Sequence, residues 1–158
     1  MNENQVYEDY QVKETTEALE SIRHKMYRTK IRDQNGVYYT SKTVNELLSA
    51  ACGEGGSTLE KIRKAVSYIL RSNQELPLPI NTRKYIYCLP TCSPDHPDCI
   101  WIFYSHIQRL TILDKQTTLI HFKNNDTIIV PVSKYTIDEQ FNRTKLILMS
   151  FSGGEKYA

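Results

Sequence analysis

From Lys84 to Val132 the chain runs through one β-prone segment after another, and this stretch limits the possible folds more than any other feature. Tyr85–Leu89 predicts one strand. Cys99–Leu113 is long enough for one bent strand or for two. Thr117–Lys123 and Thr127–Val132 predict a hairpin that turns across Asn124-Asn125. A meander of this kind, preceded by a hairpin and helices and followed by a helix, argues an α+β fold with a mostly antiparallel sheet.

Upstream, Tyr7–Val12 predicts a short strand. Met26–Asp33 alternates, Gln34-Asn-Gly turns, and Val37–Lys42 resumes the alternation, which is a hairpin signal. Thr43 and Glu46 stand three residues apart, as in a capping box, and predict a short helix through about Ala51. Gly53-Glu-Gly-Gly-Ser-Thr58 predicts a loop. Ser57 or Thr58 then caps a second helix that reaches about Ser72. On it Leu59, Ile62, Val66, Ile69 and Leu70 share one face, while Lys61, Lys64, Tyr68 and Arg71 share another. Leu76-Pro-Leu-Pro ends that helix. A closing helix is expected from Thr136 to about Phe151, with Ile137, Phe141, Thr144 and Leu148 inward. Residues 1–151 are expected to form one domain, and residues 152–158 a frayed, flexible tail.

At 158 residues, 40% hydrophobic and 24% charged, the chain is long enough and apolar enough to bury a core. No apolar run reaches the length of a bilayer span, and the polar start carries no signal-peptide pattern. A cytoplasmic location with reduced cysteines is expected. The net charge of +2 carries little information, but its distribution carries more. Residues 1–58 hold seven Lys and Arg against nine Asp and Glu, and residues 59–151 hold twelve against eight. Lys61, Arg63, Lys64, Arg71, Arg83 and Lys84 fall in one stretch whose only acid is Glu75. Such clustering suits a polyanion, although a solvated helix face has the same composition.

Other constellations are weaker. Cys88, Cys92, His96 and Cys99 are close in sequence, but their spacing fits no zinc motif, and buried structural thiols are the commoner state. Cys52 or Cys99 with His106 or His121 would make a nucleophile and base only if the fold brought them together. The glycine-rich loop before the second helix lacks the Gly-Lys-Ser/Thr ending of a nucleotide cradle, and a single phosphate contact is the most it suggests. Trp101, in Ile100-Trp-Ile-Phe-Tyr, is expected in the core rather than as a stacking platform. No catalytic residue, metal or cofactor is expected.

Read together, several segments resemble the ComK family of competence transcription factors in order and spacing. They are Leu89-Pro-Thr, Cys99-Ile-Trp, Phe122 with Asn124 and Thr127, Pro131-Val-Ser133, and Gln140, Arg143 and Thr144, with His106 at a family-like position. The similarity is firmest from Ile80 to Phe151. Upstream, Cys52, Gly56-Ser-Thr58 and Arg63-Lys-Ala65 correspond to the family's cysteine, Gly-Ser-Ser and Gly-Arg-Lys segment. The chain departs from that pattern at Gly53, where the family has Arg, and at Glu54-Gly55, where it has an aromatic residue. It departs again at Ile62, where the family has Gly, with one residue inserted nearby.

The resemblance implies a nucleoid-associated activator of DNA-uptake genes. Such a protein binds A·T-rich half-sites in the minor groove as a homo-oligomer. The apolar face of the last helix, or an edge of the 117–132 hairpin, would be its interface. Phosphate contacts are assigned to Ser57, Thr58, Lys61 and Lys64, and groove contacts to Arg63 and Arg83, with Arg71 and Lys84 in the same basic set. The family carries a longer tail that a proteolytic adaptor recognises, and with Ala158 last that function is expected to be short or absent. The alternative is a divergent member that does not bind DNA and acts by co-assembly with a relative.

Overall fold

A computed structural model describes residues 5–156. Nine strands and three helices follow in the order β1 (Thr16–Ser21), β2 (Thr29–Asp33), β3 (Gly36–Thr40), α1 (Val44–Glu54), α2 (Leu59–Leu70), β4 (Leu78–Asn81), β5 (Ile86–Pro90), β6 (Ile100–Phe103), β7 (Ile107–Asp114), β8 (Thr117–Phe122), β9 (Thr127–Val130) and α3 (Lys134–Lys156). The fold is α+β and its strand ladders are antiparallel. There are two sheets. The larger runs β3-β2-β1-β6-β5-β4 and joins the N-terminal hairpin to the central strands, while the smaller runs β7-β8-β9.

The 99–113 stretch is thus two strands in different sheets. Between them a 3-10 turn, Tyr104–His106, carries the chain from one sheet to the other. His106 pins that corner, with Nε2 2.6 Å from the Glu14 carbonyl and Nδ1 3.2 Å from Gln34 Nε2.

β6 explains the layering. Its four residues, Ile100-Trp-Ile-Phe103, are all buried. Trp101 and Phe103 join a core with α1 and α2, whereas Ile100 and Ile102 join a second core with Ile120, Phe122, Ile128 and Val130 of the smaller sheet. Successive strand residues face opposite ways, so a strand apolar at every position must be covered on both sides. Helices cover one face of the larger sheet and the meander covers the other. β8 and β9 bury every second residue, as a sheet with one open face requires.

Each helix forms for a readable reason. In α1, Val44, Leu47, Leu48, Ala51 and Cys52 are buried at helical spacing, and Thr43 with Glu46 makes the expected capping box. In α3, Ile137, Gln140, Thr144 and Ile147 are buried, and Ser133 Oγ accepts the Thr136 N–H at 3.2 Å near the helix start. Ile137 and Phe141 pack on the meander core, while Ile147, Leu148 and Phe151 pack on the helical core. α3 therefore joins the two cores. Its backbone is helical to Lys156, and residues 157–158 lie outside the described residues.

One expected strand is absent and one strand is unexpected. Tyr7–Val12 is not a strand. Val6 makes one bridge to Tyr39, and Tyr10, 1% exposed, turns its ring onto Tyr7 and Tyr38 and donates its hydroxyl to Asp33 Oδ2 at 2.6 Å. Side-chain packing has displaced a ladder there. The true first strand is Thr16–Ser21, whose Glu-Ala-Leu-Glu centre has helical rather than β propensity. Pairing on both sides, with β2 and β6, overrides that propensity.

β1 also buries Glu17, which is 1% exposed, beside a register shift between Thr16 and Ala18. Its Oε2 finds no hydrogen-bond partner among the described residues. Burial pushes this carboxyl up to about 7, and the charges of Asp126 and Asp33 add to the shift while Arg32 opposes it. The folded state thus holds a proton that the unfolded chain, near 4.5, gives up. The stabilising effect of that proton is fully present below pH 4.5 and is lost as pH rises through 7. Glu17→Gln should match the wild type in thermal melts at about pH 5 and exceed it by about 3–6 °C at about pH 8.5, and a gap independent of pH would refute the assignment.

Candidate nucleic-acid interface

The expected site lies around α2, and the loop before it sets its position. α1 runs three residues past its expected end at about Ala51, so Gly53 and Glu54 are helical and the loop shrinks to Gly55–Thr58. Gly55, Gly56 and Ser57 donate their N–H groups to the carbonyls of Ala51, Gly53 and Cys52 at 3.1, 3.0 and 3.0 Å. These donors close the end of α1 and are not directed at an outside anion. Gly55 lies flat against β4, where an added Cβ would sit 2.7 Å from the Ile80 carbonyl oxygen. Gly56 takes φ +87, a backbone that other residues rarely adopt.

Thr58 is the N-cap, its Oγ1 accepting the Lys61 N–H at 3.2 Å. Leu59, Ile62 and Val66 face the core and Ile69 and Leu70 are half-buried, so the opposite side of α2 is open. That side presents Lys61, Lys64, Tyr68 and Arg71 in one stripe, all exposed. Thr58 to Arg71 spans about 20 Å at the α-helical rise. Arg71 ends the helix in the left-handed conformation, φ 52. Lys64 pairs with Glu60, one turn back, at 3.4 Å, with both side chains almost fully in solvent. A pair this exposed is weak and can be exchanged for a phosphate. Tyr68, 86% exposed, is the most exposed large apolar side chain among the described residues and stands in the middle of the stripe. Its place on the basic side follows from helical spacing; only its exposure singles it out.

Arg63 departs from the stripe. It is half-buried and lines a cleft of about 560 Å³ with Asn73, Ser93, Pro94, Asp95 and Trp101. Trp101, only 4% exposed, is core, as expected. Arg83 and Lys84 are exposed in the turn between β4 and β5, which ends on a positive φ at Tyr85. The contact of Gly55 with Ile80 and Asn81 sets this turn near the N-terminal end of α2. Lys84 also lines a cleft with Asp9, Lys13 and Glu54, so its field is mixed. Ser57 is half-buried. Of the eight residues selected from the sequence, Lys61, Lys64 and Arg71 share one face, Ser57 and Thr58 lie at its start, and Arg83 and Lys84 lie beside that end. Arg63 flanks it.

Among the described residues the cysteines and histidines form no metal cluster, and the histidines bond elsewhere than to a thiol. His121 Nε2 lies 2.8 Å from Thr111 Oγ1, and His106 is held in its corner. Burial pushes the Cys52 thiol up to about 11 and the Cys99 thiol up to about 12. Cys88 is buried in β5, while His96 accepts the Asp98 N–H in an exposed loop. Among the described residues, no group of three or more His, Cys, Asp or Glu is arranged to hold a metal ion. No described helix is long and apolar enough to cross a membrane.

Gly55→Ala should force the α1–α2 loop off β4 and cost about 1–3 kcal/mol in denaturant titrations, because the clash is with backbone that cannot rotate away. Thr58→Ala should cost about 1 kcal/mol through loss of the cap. A Gly55→Ala protein as stable as the wild type would show that the loop is not docked as described.

The family model described as ComK protein matches residues 7–155. The protein named "Competence transcription factor" of Bacillus subtilis (strain 168) is 26% identical over 147 residues, which cover 91% of this chain and 76% of that protein. No solved structure matches the chain.

Proposed function

The chain belongs to the ComK family, and from that premise we propose that it is a competence transcription regulator that binds A·T-rich duplex DNA through the minor groove. The exposed basic stripe of α2 is the observation that carries this proposal. Lys61, Lys64 and Arg71 are free to meet phosphates along about 20 Å, and Ser57 and Thr58 offer polar contacts at the first turn. Arg63 is shielded from solvent on one side by its cleft, which limits its freedom and suits a guanidinium held for a narrow, electronegative groove. Tyr68 lies between the cations with its ring in water, where it can pack on sugar and base edges. Arg83 extends the contact past the helix start, with Lys84 beside it. Residues 1–151 act as one DNA-binding domain in the cytoplasm. Spaced half-sites call for a symmetric assembly. Leu146 and Met149 on the outer side of α3, or Ile129 on β9, are exposed apolar residues suited to it.

Gel-shift or anisotropy titrations against an A·T-rich duplex test this. Lys64→Ala should lower the salt slope by about one without changing sequence preference. Arg63→Ala should weaken binding, flatten the slope and reduce the preference for A·T over G·C. Tyr68→Ala should cost about 1–3 kcal/mol with the slope unchanged. Binding and slope unaffected by Arg63→Ala and Lys64→Ala would overturn the assignment of α2.

Two observations favour a second proposal. Glu60 sits exposed in the first turn of α2 and pairs with Lys64, and the N–H groups of the preceding loop serve α1. Both features reduce the attraction of this end for phosphate. A divergent member working by co-assembly with a DNA-binding relative would show no shift on any duplex at low salt, yet would form a complex with that relative.

A further inference from the structure

The β5–β6 ladder pairs Cys88 with Phe103, Leu89 with Ile102 and Pro90 with Trp101. It extends one step further, since the Thr91 N–H donates to the Ile100 carbonyl at 3.0 Å and the Ile100 N–H donates to Thr91 Oγ1 at 3.0 Å. The next opposed positions are Cys92 and Cys99, both free thiols. They do meet, because the Cys99 thiol donates to the Cys92 carbonyl at 3.5 Å. Directly opposed residues in an antiparallel pair have Cα atoms about 4.5–5.5 Å apart, inside the span of about 4.4–6.8 Å that a disulfide accepts. The intervening loop is already folded. The His96 N–H donates to the Ser93 carbonyl at 2.9 Å and the Cys99 N–H to the His96 carbonyl at 3.0 Å, and Pro94 and Pro97 restrict the rest. Ser93, Pro94 and Asp95 from this loop wall the cleft that contains Arg63.

We propose that Cys92 and Cys99 are a redox-modification site, oxidised by a low-molecular-weight disulfide to a reversible intramolecular crosslink at the base of the 93–98 loop. Cys92, half-buried, is the thiol an oxidant reaches, and Cys99, 4% exposed, resolves the intermediate. The Cys92 thiolate attacks one sulfur of glutathione disulfide, joins to it and releases one glutathione thiolate. The Cys99 thiolate then attacks the Cys92 sulfur, forming the Cys92–Cys99 bond and releasing the second glutathione thiolate. The two protons lost by the cysteines end on the two glutathiones, which take up the two electrons. Burial holds both thiols protonated at neutral pH, so the reaction should be slow there and accelerate as the medium becomes alkaline. The crosslink stands independently of DNA binding.

The test is incubation of the full chain with glutathione disulfide, followed by alkylation, intact mass and non-reducing peptide mapping, with no DNA present. The expected result is a loss of about 2 Da, a Cys92–Cys99 linked peptide that dithiothreitol reverses, and a rate that climbs from about pH 7 to about pH 9.5. Cys99→Ser should stop at a glutathione adduct on Cys92, and Cys92→Ser should leave Cys99 unmodified. Stable glutathione adducts in the wild type without the crosslink, or linkage through Cys52 or Cys88 instead, would overturn the proposal. Because the wild-type map is read without any variant, a variant that fails to fold leaves the test intact.

Discussion

One buried glutamine holds the layers in place. Gln140, 2% exposed on α3, donates both hydrogens of its amide, one to the Glu75 carbonyl at 2.8 Å and one to the Pro90 carbonyl at 2.9 Å. Its own carbonyl accepts from Arg143 at 2.7 Å, and the same guanidinium reaches the carbonyls of Glu75 and Gln74 at 3.0 and 2.9 Å. Thr144 closes the set by donating to the Gln140 backbone carbonyl at 2.7 Å. The carbonyls served are those that regular structure leaves over. Gln74 and Glu75 lie in the connection after α2, with Glu75 at positive φ, and Pro90 ends β5. A buried carbonyl without a partner is costly, so the clamp fixes three elements at once. It stands in the first half of α3, flanked by Ile137 and Phe141, which face the meander, and ahead of Ile147 and Leu148, which face the helices.

The second organising constraint is a sheet covered on both sides. β6 lies in the middle of the larger sheet and is apolar at all four positions, so neither face can be left to water. The chain solves this by turning sharply at Tyr104–His106 and folding its own last three strands back over one face. The other face goes to α1 and α2. α2 is consequently an outer helix, anchored by Leu59, Ile62 and Val66 and open elsewhere. A helix face on a rigid backing is ordered during folding, so little ordering cost is left for a contact made there.

How far the residues disclose this depends on which force dominates locally. Thr43 with Glu46, Thr58, and the Leu59–Val66 spacing are decided by near neighbours, and the structure follows them closely. The hairpins across Gln34-Asn35 and Asn124-Asn125 are likewise local. Thr16–Ser21 is not, because its strand conformation comes from partners about 15 and 80 residues away. Tyr7–Val12 fails for the opposite reason, since its aromatic residues find better contacts as packed rings than as ladder members. The division into two sheets is hidden because a bent strand and a corner have the same composition. Gln140, Arg143 and Thr144 stand out as a family pattern, yet their task in binding backbone carbonyls emerges only from coordinates. The half-burial of Arg63 is similar. Its helical position places it off the stripe, but the wall that encloses it comes from a loop thirty residues further on.

The rims of the larger sheet carry a consequence for self-association. On one rim Val6 bridges to Tyr39 and the Tyr7 N–H occupies the Tyr39 carbonyl, which covers part of β3. On the other, Pro79 removes a donor from the middle of β4, and α3 packs along that strand. Neither rim offers an uninterrupted row of amide and carbonyl groups for a foreign strand to copy. Strand-by-strand growth, the route by which open sheets pass into fibrils, is blocked at both ends of this sheet.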